Sequence, residues 1–199
     1  MTYWLFDIDG TLVDSTPAVE RAWRTWAAEN DLDAAAILQV SHGRRAKDTL
    51  ADFVTPECVD AAYQGLLSLE MADLDSVVAL PGAAELLASL PRDRWAAVTS
   101  GGRELMSARL AAAGLPVPDV LVTAEDVDVG KPDPAGYLLA ARRLGADPAE
   151  CIVVEDAPAG LEAGRRAGCR VIAVATSHSP GQLAGYEVLP DLTCLHIPT

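Results

Sequence analysis

Apolar residues form two patterns along the chain, short continuous runs and a helical spacing, and the change from one pattern to the other marks the boundaries of the predicted elements. Residues 3–6 form a short continuous apolar run, which is typical of a buried strand. From residue 16 onward the apolar residues recur every three or four positions, as in Val19, Trp23 and Trp26, and this spacing predicts amphipathic helices. Because nothing in 16–78 favours a strand, we expect this stretch to be all-helical.

From residue 80 onward, short apolar runs alternate with helical stretches. The predicted strands are 3–6, 95–98, 120–123, 151–154 and 171–174. The predicted helices after residue 80 are 83–90, 103–113, 134–144 and 159–167. This alternation predicts an α/β fold with a mostly parallel sheet covered on both faces. We expect residues 1–15 and 80–199 to form this core, with residues 16–79 inserted after the first strand.

The composition limits the classes of partner. The chain has 199 residues, of which 50% are hydrophobic and 22% charged, and this suits one domain or a core with a small insert. The net charge of −14 argues against nucleic acids and anionic membranes, because both would be repelled. An anionic substrate would therefore need positive charge concentrated locally, from a bound metal ion and a few basic side chains.

Targeting and assembly signals are not evident in the sequence. There is no secretory signal pattern and no apolar run near the roughly 20 residues of a membrane span, so we expect a cytoplasmic protein. Cys58, Cys151, Cys169 and Cys194 are scattered without a CxxC pair, which disfavours structural zinc or a disulfide framework. No heptad pattern indicates a stable dimer, and we expect a monomer.

Residues suited to phosphoryl transfer follow four of the predicted strands. Asp7 and Asp9 come directly after the first strand, on the same side of it, and two such carboxylates repel each other without a cation between them. The other residues are the run Thr99-Ser100-Gly101-Gly102, Lys131, and the pair Glu155 and Asp156. Ligands of open parallel sheets bind at the carboxyl ends of the strands, where these residues are expected to meet.

Each of these short strings also has an ordinary explanation. The string around Asp7 is compatible with a calcium loop or an Asp-rich turn, and the run at Thr99 with a helix N-cap. Lys131 could be a solvated loop residue, and Glu155 and Asp156 could cap the next helix, whose dipole favours acids. Their joint occurrence at strand ends favours a single phosphate-handling site.

Four sequence strings, taken in chain order, resemble motifs I to IV of the haloacid dehalogenase-like (HAD) phosphohydrolases. They are DIDGTLVDS, TSGG, GKPDP and VVEDAPAG. The resemblance covers the predicted core and includes a matching insertion after motif I. It implies a three-layer, Rossmann-like parallel sheet, the HAD core, with an all-helical cap inserted after motif I.

The resemblance also implies catalytic roles. Asp7 would be the nucleophile that forms an aspartyl-phosphate. Asp9 would protonate the leaving alcohol and then take a proton from the hydrolytic water. Thr99 would hydrogen-bond the transferring phosphoryl, with the backbone N–H of Ser100 beside it, and Lys131 would neutralise charge between Asp7 and the phosphoryl oxygens.

A magnesium site follows from the same resemblance. Mg²⁺ would be held by Asp156, by a side-chain oxygen of Asp7, by the backbone carbonyl of Asp9 and by Glu155, directly or through water. These are oxygen ligands, which magnesium prefers. The metal and the lysine together would offset the repulsion between four acids and a phosphate dianion.

Longer strings resemble the branch of the family that acts on glycerol phosphate and 2-deoxyglucose 6-phosphate. They are DSTPAVERAW, HGRRAKDTL, VTSGGRE and VVEDAPAGLEAGRRAGC. The resemblance implies a magnesium-dependent phosphatase for small sugar or polyol phosphates. The alternative is a β-phosphoglucomutase-like enzyme, whose first cap helix carries a His where this chain has Val19, and whose substrate-binding Lys has no evident match in 56–79.

Two further alternatives remain. A haloacid dehalogenase needs no metal and normally lacks the second acid of motif I, so Asp9 argues against that activity. A degenerate HAD domain that acts only as a binding module would have lost the nucleophile, the second Asp or the motif III Lys. Asp7, Asp9 and Lys131 are all present, which disfavours the binding module.

The most basic stretch of the chain is 42–47, which contains Arg44, Arg45 and Lys47. It is either a solvated turn between cap helices or an element that reaches the substrate when the cap closes. The second interpretation makes Arg45 and Lys47 the residues that select the alcohol. The predicted substrate-binding residues are then Ser100, Gly101, Arg45 and Lys47.

Overall fold

The computed structural model describes residues 1–41 and 43–197 of the chain. The strands are β1 (Tyr3–Phe6), β2 (Val13–Asp14), β3 (Val78–Ala79), β4 (Trp95–Val98), β5 (Leu121–Val122), β6 (Cys151–Glu155), β7 (Arg170–Val174) and β8 (Glu187–Leu189). Within the described residues, six of them form a parallel sheet in the order β5-β4-β1-β6-β7-β8. The central position of β1 confirms that the first strand belongs to the predicted sheet.

The α-helices of the described residues fall into two groups, four between β2 and β3 and four after β3. They are α1 (Thr16–Glu29), α2 (Ala34–Ser41), α3 (Ala46–Leu50), α4 (Val59–Ala72), α5 (Ala83–Ser89), α6 (Arg103–Ala112), α7 (Ala135–Leu144) and α8 (Pro158–Arg166). Side chains of β1 alternate between the faces, so Trp4 and Phe6 pack with α5 and α6, whereas Leu5 packs with α7 and α8. The predicted three-layer α/β fold is confirmed.

Helices α1 to α4 form the stretch that we call the helical insertion (residues 16–79). Its apolar side chains make a cluster of their own, in which the rings of Trp23 and Trp26 meet edge to face with centroids 5.8 Å apart. Helix α1 begins at Thr16, whose backbone N–H donates at 3.1 Å to Oδ1 of Asp14, the residue before the N-cap Ser15. The amphipathic spacing therefore gives the helices that it predicts.

The structure corrects the sequence prediction at short strands. β2 and β3, which were not predicted, pair antiparallel at the two ends of the insertion, with Val13 opposite Ala79. Of this pairing only Val78 lies within 16–78, where no strand was expected. Strands of two residues are too short to produce a period-2 pattern. β8 was also not predicted, because this partly exposed edge strand begins with Glu187 and has no continuous apolar run.

Among the described residues, no helix is both long enough and apolar enough to cross a lipid bilayer.

Candidate active site

The strand order brings the predicted motif residues together at the carboxyl edge of the sheet. β1 lies between β4 and β6, so Asp7 after β1 neighbours Thr99 after β4 and Glu155 at the end of β6. Lys131 arrives from the loop between β5 and α7. These four residues line one cavity together with Asp156. The four motifs of the sequence thus converge on one site.

Lys131 is buried among oxygen acceptors at this site. Its Nζ donates to Asp7 Oδ1 at 2.5 Å, to Glu155 Oε1 at 2.7 Å and to the carbonyl oxygen of Val98 at 3.1 Å. Burial alone lowers the pKa of Lys131, but the charges of Asp7 and Glu155 outweigh it, and the net shift is well upward. The lysine is therefore a fixed cation in contact with the carboxylate of Asp7.

Asp7, Glu155 and Asp156 form a buried acidic cluster, in which one carboxylate oxygen from each residue lies within 4.8 Å of the other two. Burial raises the pKa of Asp7 well above its ordinary value, with Glu155 and Asp156 adding to the rise and Lys131 opposing it. Burial and the charge of Glu155 likewise raise the pKa of Asp156 to about 7. Burial and the crowding of negative charge both disfavour the ionised carboxylates, and a bound cation would offset both. The cluster therefore fits a divalent metal ion with oxygen ligands.

Asp156 is held in place from two sides. Thr11 Oγ1 donates to Asp156 Oδ1 at 3.0 Å, and the hydroxyl of Ser177 donates to Oδ2. Gly10 has a φ of +84°, and a Cβ there would overlap the Asp156 carboxylate, so the close approach requires glycine. Ser177 was not predicted as a site residue, although the polar run 176–178 follows an apolar strand, as the predicted motif residues do.

Asp9 projects toward the same cavity with its side chain 30% exposed. Its Oδ1 accepts a hydrogen bond from Ser15 Oγ at 2.7 Å, and its Oδ2 accepts one from Arg109 Nη1 at 2.8 Å. The second terminal nitrogen of Arg109, Nη2, donates to Glu70 Oε1 at 3.0 Å. Burial raises the pKa of Glu70, and the charge of Arg109 opposes this rise. A chain of charged contacts thus runs from the insertion to Asp9.

Arg109 and Glu70 were not predicted as site residues. Arg109 lies on the buried face of α6 with Leu105 and Met106, so a charged residue within an apolar stripe was the available signal. Such a residue is rarely buried unless it is paired. Glu70 lies 39 positions away on α4, and its pairing with Arg109 had no local signal in the sequence.

All four residues of the predicted phosphate-binding run, 99–102, line the cavity. Thr99 is 7% exposed, and its Oγ1 accepts the backbone N–H of Gly101 at 3.0 Å. The hydroxyl of Ser100 instead donates to the carbonyl of Gly43 in the helical insertion at 3.0 Å. Ser100 therefore joins the core to the insertion through its side chain.

Arg45 lines the cavity, but its guanidinium has protein partners. Its Nη1 and Nη2 donate to the carbonyls of Asp128 at 2.9 Å and Val127 at 2.8 Å, in the loop that leads to Lys131. Substrate binding by Arg45 stays a prediction, and the contact that the structure gives it is with the core. His42, the first residue of the basic segment, lies outside the described residues.

Lys47 also lines the cavity and is held more loosely. Its Nζ lies 2.6 Å from Asp60 Oδ1 and 5.2 Å from the ring centroid of Tyr63. The side chains of this ion pair are 51% and 85% exposed, and exposed ion pairs contribute little to stability. The lysine can therefore exchange this partner for a ligand at low cost, and its substrate role stays a prediction.

The cavity itself lies between the strand ends and the helical insertion and has a volume of about 420 Å³. Asp7 and Asp156 line its core side, and Trp23, Tyr63 and Glu70 line its insertion side. Its volume lies in the range of small-molecule sites. The mixture of aromatic and charged side chains suits a small polar ligand with an apolar edge.

A buried lysine beside an acidic cluster at the ends of parallel strands is an arrangement suited to phosphoryl transfer in an α/β enzyme. The sequence model of the haloacid dehalogenase-like hydrolases matches residues 4–168. The chain belongs to the haloacid dehalogenase-like hydrolase family. The family predicted from the four motifs is thereby confirmed.

Named relatives agree with this assignment. Hexitol phosphatase A of Escherichia coli (strain K12) is 48% identical over 176 residues, which cover 86% of this chain and 82% of that protein. Glycerol-1-phosphate phosphohydrolase 2 of Saccharomyces cerevisiae is 38% identical over 186 residues, covering 87% and 74%. The crystal structure of a hydrolase from Pseudomonas syringae is similar with a TM-score of 0.87 at 29% identity, covering 96% and 94%. The predicted enzyme class, a phosphoric monoester hydrolase, is confirmed.

Proposed function

We propose that this protein hydrolyses phosphate monoesters of small polyols and sugars, with hexitol phosphates as the first candidates. The observation that carries the proposal is the Asp7 carboxylate, which Lys131 contacts beside an acidic cluster in a cavity of about 420 Å³. A cavity of this size suits a phosphorylated small molecule better than a polymer. The relatives named as a hexitol phosphatase and a glycerol-1-phosphate phosphohydrolase support the same substrate class.

In the proposed reaction Asp7 is the nucleophile. Its carboxylate oxygen attacks phosphorus while the bond from phosphorus to the alcohol oxygen breaks, and Asp9 gives a proton to that oxygen. The alcohol leaves, and an aspartyl-phosphate remains on Asp7. Water then attacks phosphorus and gives a proton to Asp9, and the bond from phosphorus to Asp7 breaks. Inorganic phosphate is released, and both carboxyl groups return to their starting protonation states.

Fixed charges and hydrogen-bond donors assist both steps. Lys131 would neutralise negative charge on the transferring phosphoryl, because its Nζ already contacts Asp7 Oδ1 at 2.5 Å. The hydroxyl of Thr99 and the N–H group of Ser100 would bind the phosphoryl oxygens, and the N–H of Gly101, which donates to Thr99 Oγ1 at 3.0 Å, would hold that hydroxyl in place. Positioning and charge stabilisation account for most of the catalysis in phosphoryl transfer.

We propose Mg²⁺ as the metal ion of this site. Asp7, Glu155 and Asp156 would hold it, with the backbone carbonyl of Asp9 as a further ligand. When bound, a divalent ion supplies positive charge to the phosphoryl oxygens. The all-oxygen donor set and the raised pKa values of Asp7 and Asp156 support a hard cation here.

We also propose that residues 16–79 form a cap domain on a core made of residues 1–15 and 80–199. The separate apolar cluster around Trp23 and Trp26 supports this division, as does the β2–β3 ribbon where the insertion leaves and rejoins the core. The hydrogen bonds of Arg45 to the core loop would hold the cap over the cavity.

Phosphate release tests the proposed function against the mutase alternative. With Mg²⁺, hexitol phosphates, glycerol 1-phosphate and p-nitrophenyl phosphate should all yield inorganic phosphate, with the highest kcat/KM for a polyol phosphate. β-Glucose 1-phosphate with a trace of the 1,6-bisphosphate should yield glucose and phosphate, or no product. Val19, which lines the cavity where the mutases carry a His, supports this outcome. Efficient formation of glucose 6-phosphate would overturn the choice, and no turnover of any monoester would remove the function.

Replacement of Lys47 with Ala tests the role of the cap in substrate selection. We expect KM for polyol phosphates to rise about tenfold, the loss of one charge-assisted hydrogen bond of ~1.5 kcal/mol. KM for p-nitrophenyl phosphate should change much less, because that substrate offers no hydroxyl groups. Arg24→Ala, which removes another exposed ion pair of the insertion, is the matched control and should change neither. Equal effects on both substrates would exclude Lys47 as a selector.

A further inference from the structure

Arg109 is a buried cation next to the reacting groups, and none of the four motifs includes it. It lies on α6, and only 3% of its side chain is exposed. Its guanidinium lies between two carboxylates, those of Asp9 at 2.8 Å and Glu70 at 3.0 Å. A buried guanidinium is costly unless each charge is matched, and its planar fork suits two acceptors at once. The geometry therefore fixes the positions of all three side chains relative to one another.

The contacts of Asp9 explain what this arrangement can do. One carboxylate oxygen accepts from Ser15 and the other from Arg109. Two donors on two different oxygens fix both the position and the rotation of a carboxyl group. Ser15 lies only six positions from Asp9, whereas Arg109 lies 100 positions away and approaches from the sheet's covering helix. Arg109 thus supplies the tertiary constraint on the orientation of Asp9.

Glu70 constrains Arg109 in turn. It lies on α4, is 7% exposed, and accepts from the guanidinium nitrogen that Asp9 does not use. Glu70 and Arg109 both line the cavity that Asp7 and Asp9 line. The Glu70 carboxylate therefore holds the guanidinium in the plane that reaches Asp9.

We propose that Arg109 is a positioning residue that orients the Asp9 carboxyl for proton transfer, and that Glu70 fixes Arg109 for this task. The inference rests on the proposed function, in which Asp9 exchanges protons with the leaving alcohol and with water. It assigns a role to two residues that lie outside the four motifs. A purely structural ion pair between α4 and α6 is the competing explanation.

The two explanations separate when stability and catalysis are measured on the same variants. Arg109→Met leaves Glu70 buried without its partner, so we expect the Tm to fall. The double variant Glu70→Met/Arg109→Met replaces the buried pair with apolar side chains, and its Tm should recover most of that loss. Arg170→Met, which removes an exposed ion pair with Glu187, is the control and should keep both Tm and kcat.

If Arg109 positions Asp9, kcat stays low in the double variant even though its Tm recovers. In both Arg109→Met variants we expect kcat for a polyol phosphate to fall roughly a hundredfold, as for a misplaced acid–base group, with KM changed less than about threefold. With p-nitrophenyl phosphate, whose leaving group needs no proton, rapid mixing should show a burst of p-nitrophenol stoichiometric with enzyme, followed by slow turnover. The burst requires an intact Asp7 site and a slow second step, in which Asp9 must act as base.

Other outcomes overturn the inference. Recovery of kcat together with Tm in the double variant would make the pair structural. A rise in KM at unchanged kcat would make Arg109 a substrate-binding group. If neither Met variant folds, Arg109→Lys separates the explanations, because lysine keeps the positive charge but lacks the planar guanidinium with its two donor nitrogens. This variant should retain the Tm and lose kcat at least about fivefold, and a wild-type kcat would refute the role. Absence of turnover by the wild-type enzyme would instead show that the proposed function itself is wrong.

Discussion

Replacement of Asp7 with Asn is expected to abolish turnover while the protein stays folded. An amide cannot form the aspartyl-phosphate, and positioning cannot compensate for a missing nucleophile, so kcat should fall by about 10⁴-fold or more. The fold should tolerate the change because Asn removes a carboxyl group whose burial raises its pKa well above the ordinary value. Lys131 would retain Glu155 as a partner at 2.7 Å. Phosphate release and thermal unfolding, measured on the same preparation, test both parts.

Acid-quenched enzyme gives a second measurement of the same prediction. Wild-type protein mixed with labelled substrate should retain label in an acid-stable, hydroxylamine-sensitive form, whereas Asp7→Asn should retain none. Asp93→Asn, in the exposed turn before β4, is the matched control and should behave as the wild type. Substantial activity in well-folded Asp7→Asn would exclude the covalent mechanism.

Removal of divalent metal should have the second largest effect. We expect EDTA to lower kcat by roughly a hundredfold or more, since a metal ion contributes several kcal/mol of charge stabilisation and about 2.7 kcal/mol corresponds to that factor. Added Mg²⁺ should restore activity, and Ca²⁺ should restore little. Calcium accepts more ligands at longer distances, so it would bind both carboxylate oxygens of Asp7 and leave neither free to attack phosphorus. Full activity after exhaustive chelation would contradict the metal requirement.

The metal site can also be tested without turnover. Mg²⁺ should raise the Tm of the wild-type protein in a concentration-dependent manner, because a ligand that binds only the folded state stabilises it. Asp156→Asn removes one of the three clustered carboxylates and should lose most of this shift. Asp93→Asn should keep it. An equal Mg²⁺ shift in all three proteins would place the ion elsewhere.

Local strings predicted the core of the fold and the motif residues of the site. The apolar run 3–6 coincides with β1, and Asp7 and Asp9 follow it as expected. Lys131 and Glu155 also lie where the order of predicted strands puts them, because parallel strands place their carboxyl ends at one edge. The strands β2 and β3 escaped prediction because each has only two residues, which is too few for a period to appear.

The amino-acid sequence alone therefore determined where the strands end and which residues follow them. Strands and turns depend on the spacing of apolar residues and on turn-forming residues close by in the chain. Tertiary structure alone decided which distant side chains complete the site. Arg109 contacts Asp9, which lies 100 positions away in the chain. Arg45 donates from Nη1 and Nη2 to carbonyls that lie more than 80 positions away. Such pairings are fixed by how helices pack over the sheet and by the need to match every buried charge. Neither condition can be read from the residues that surround an arginine in the chain.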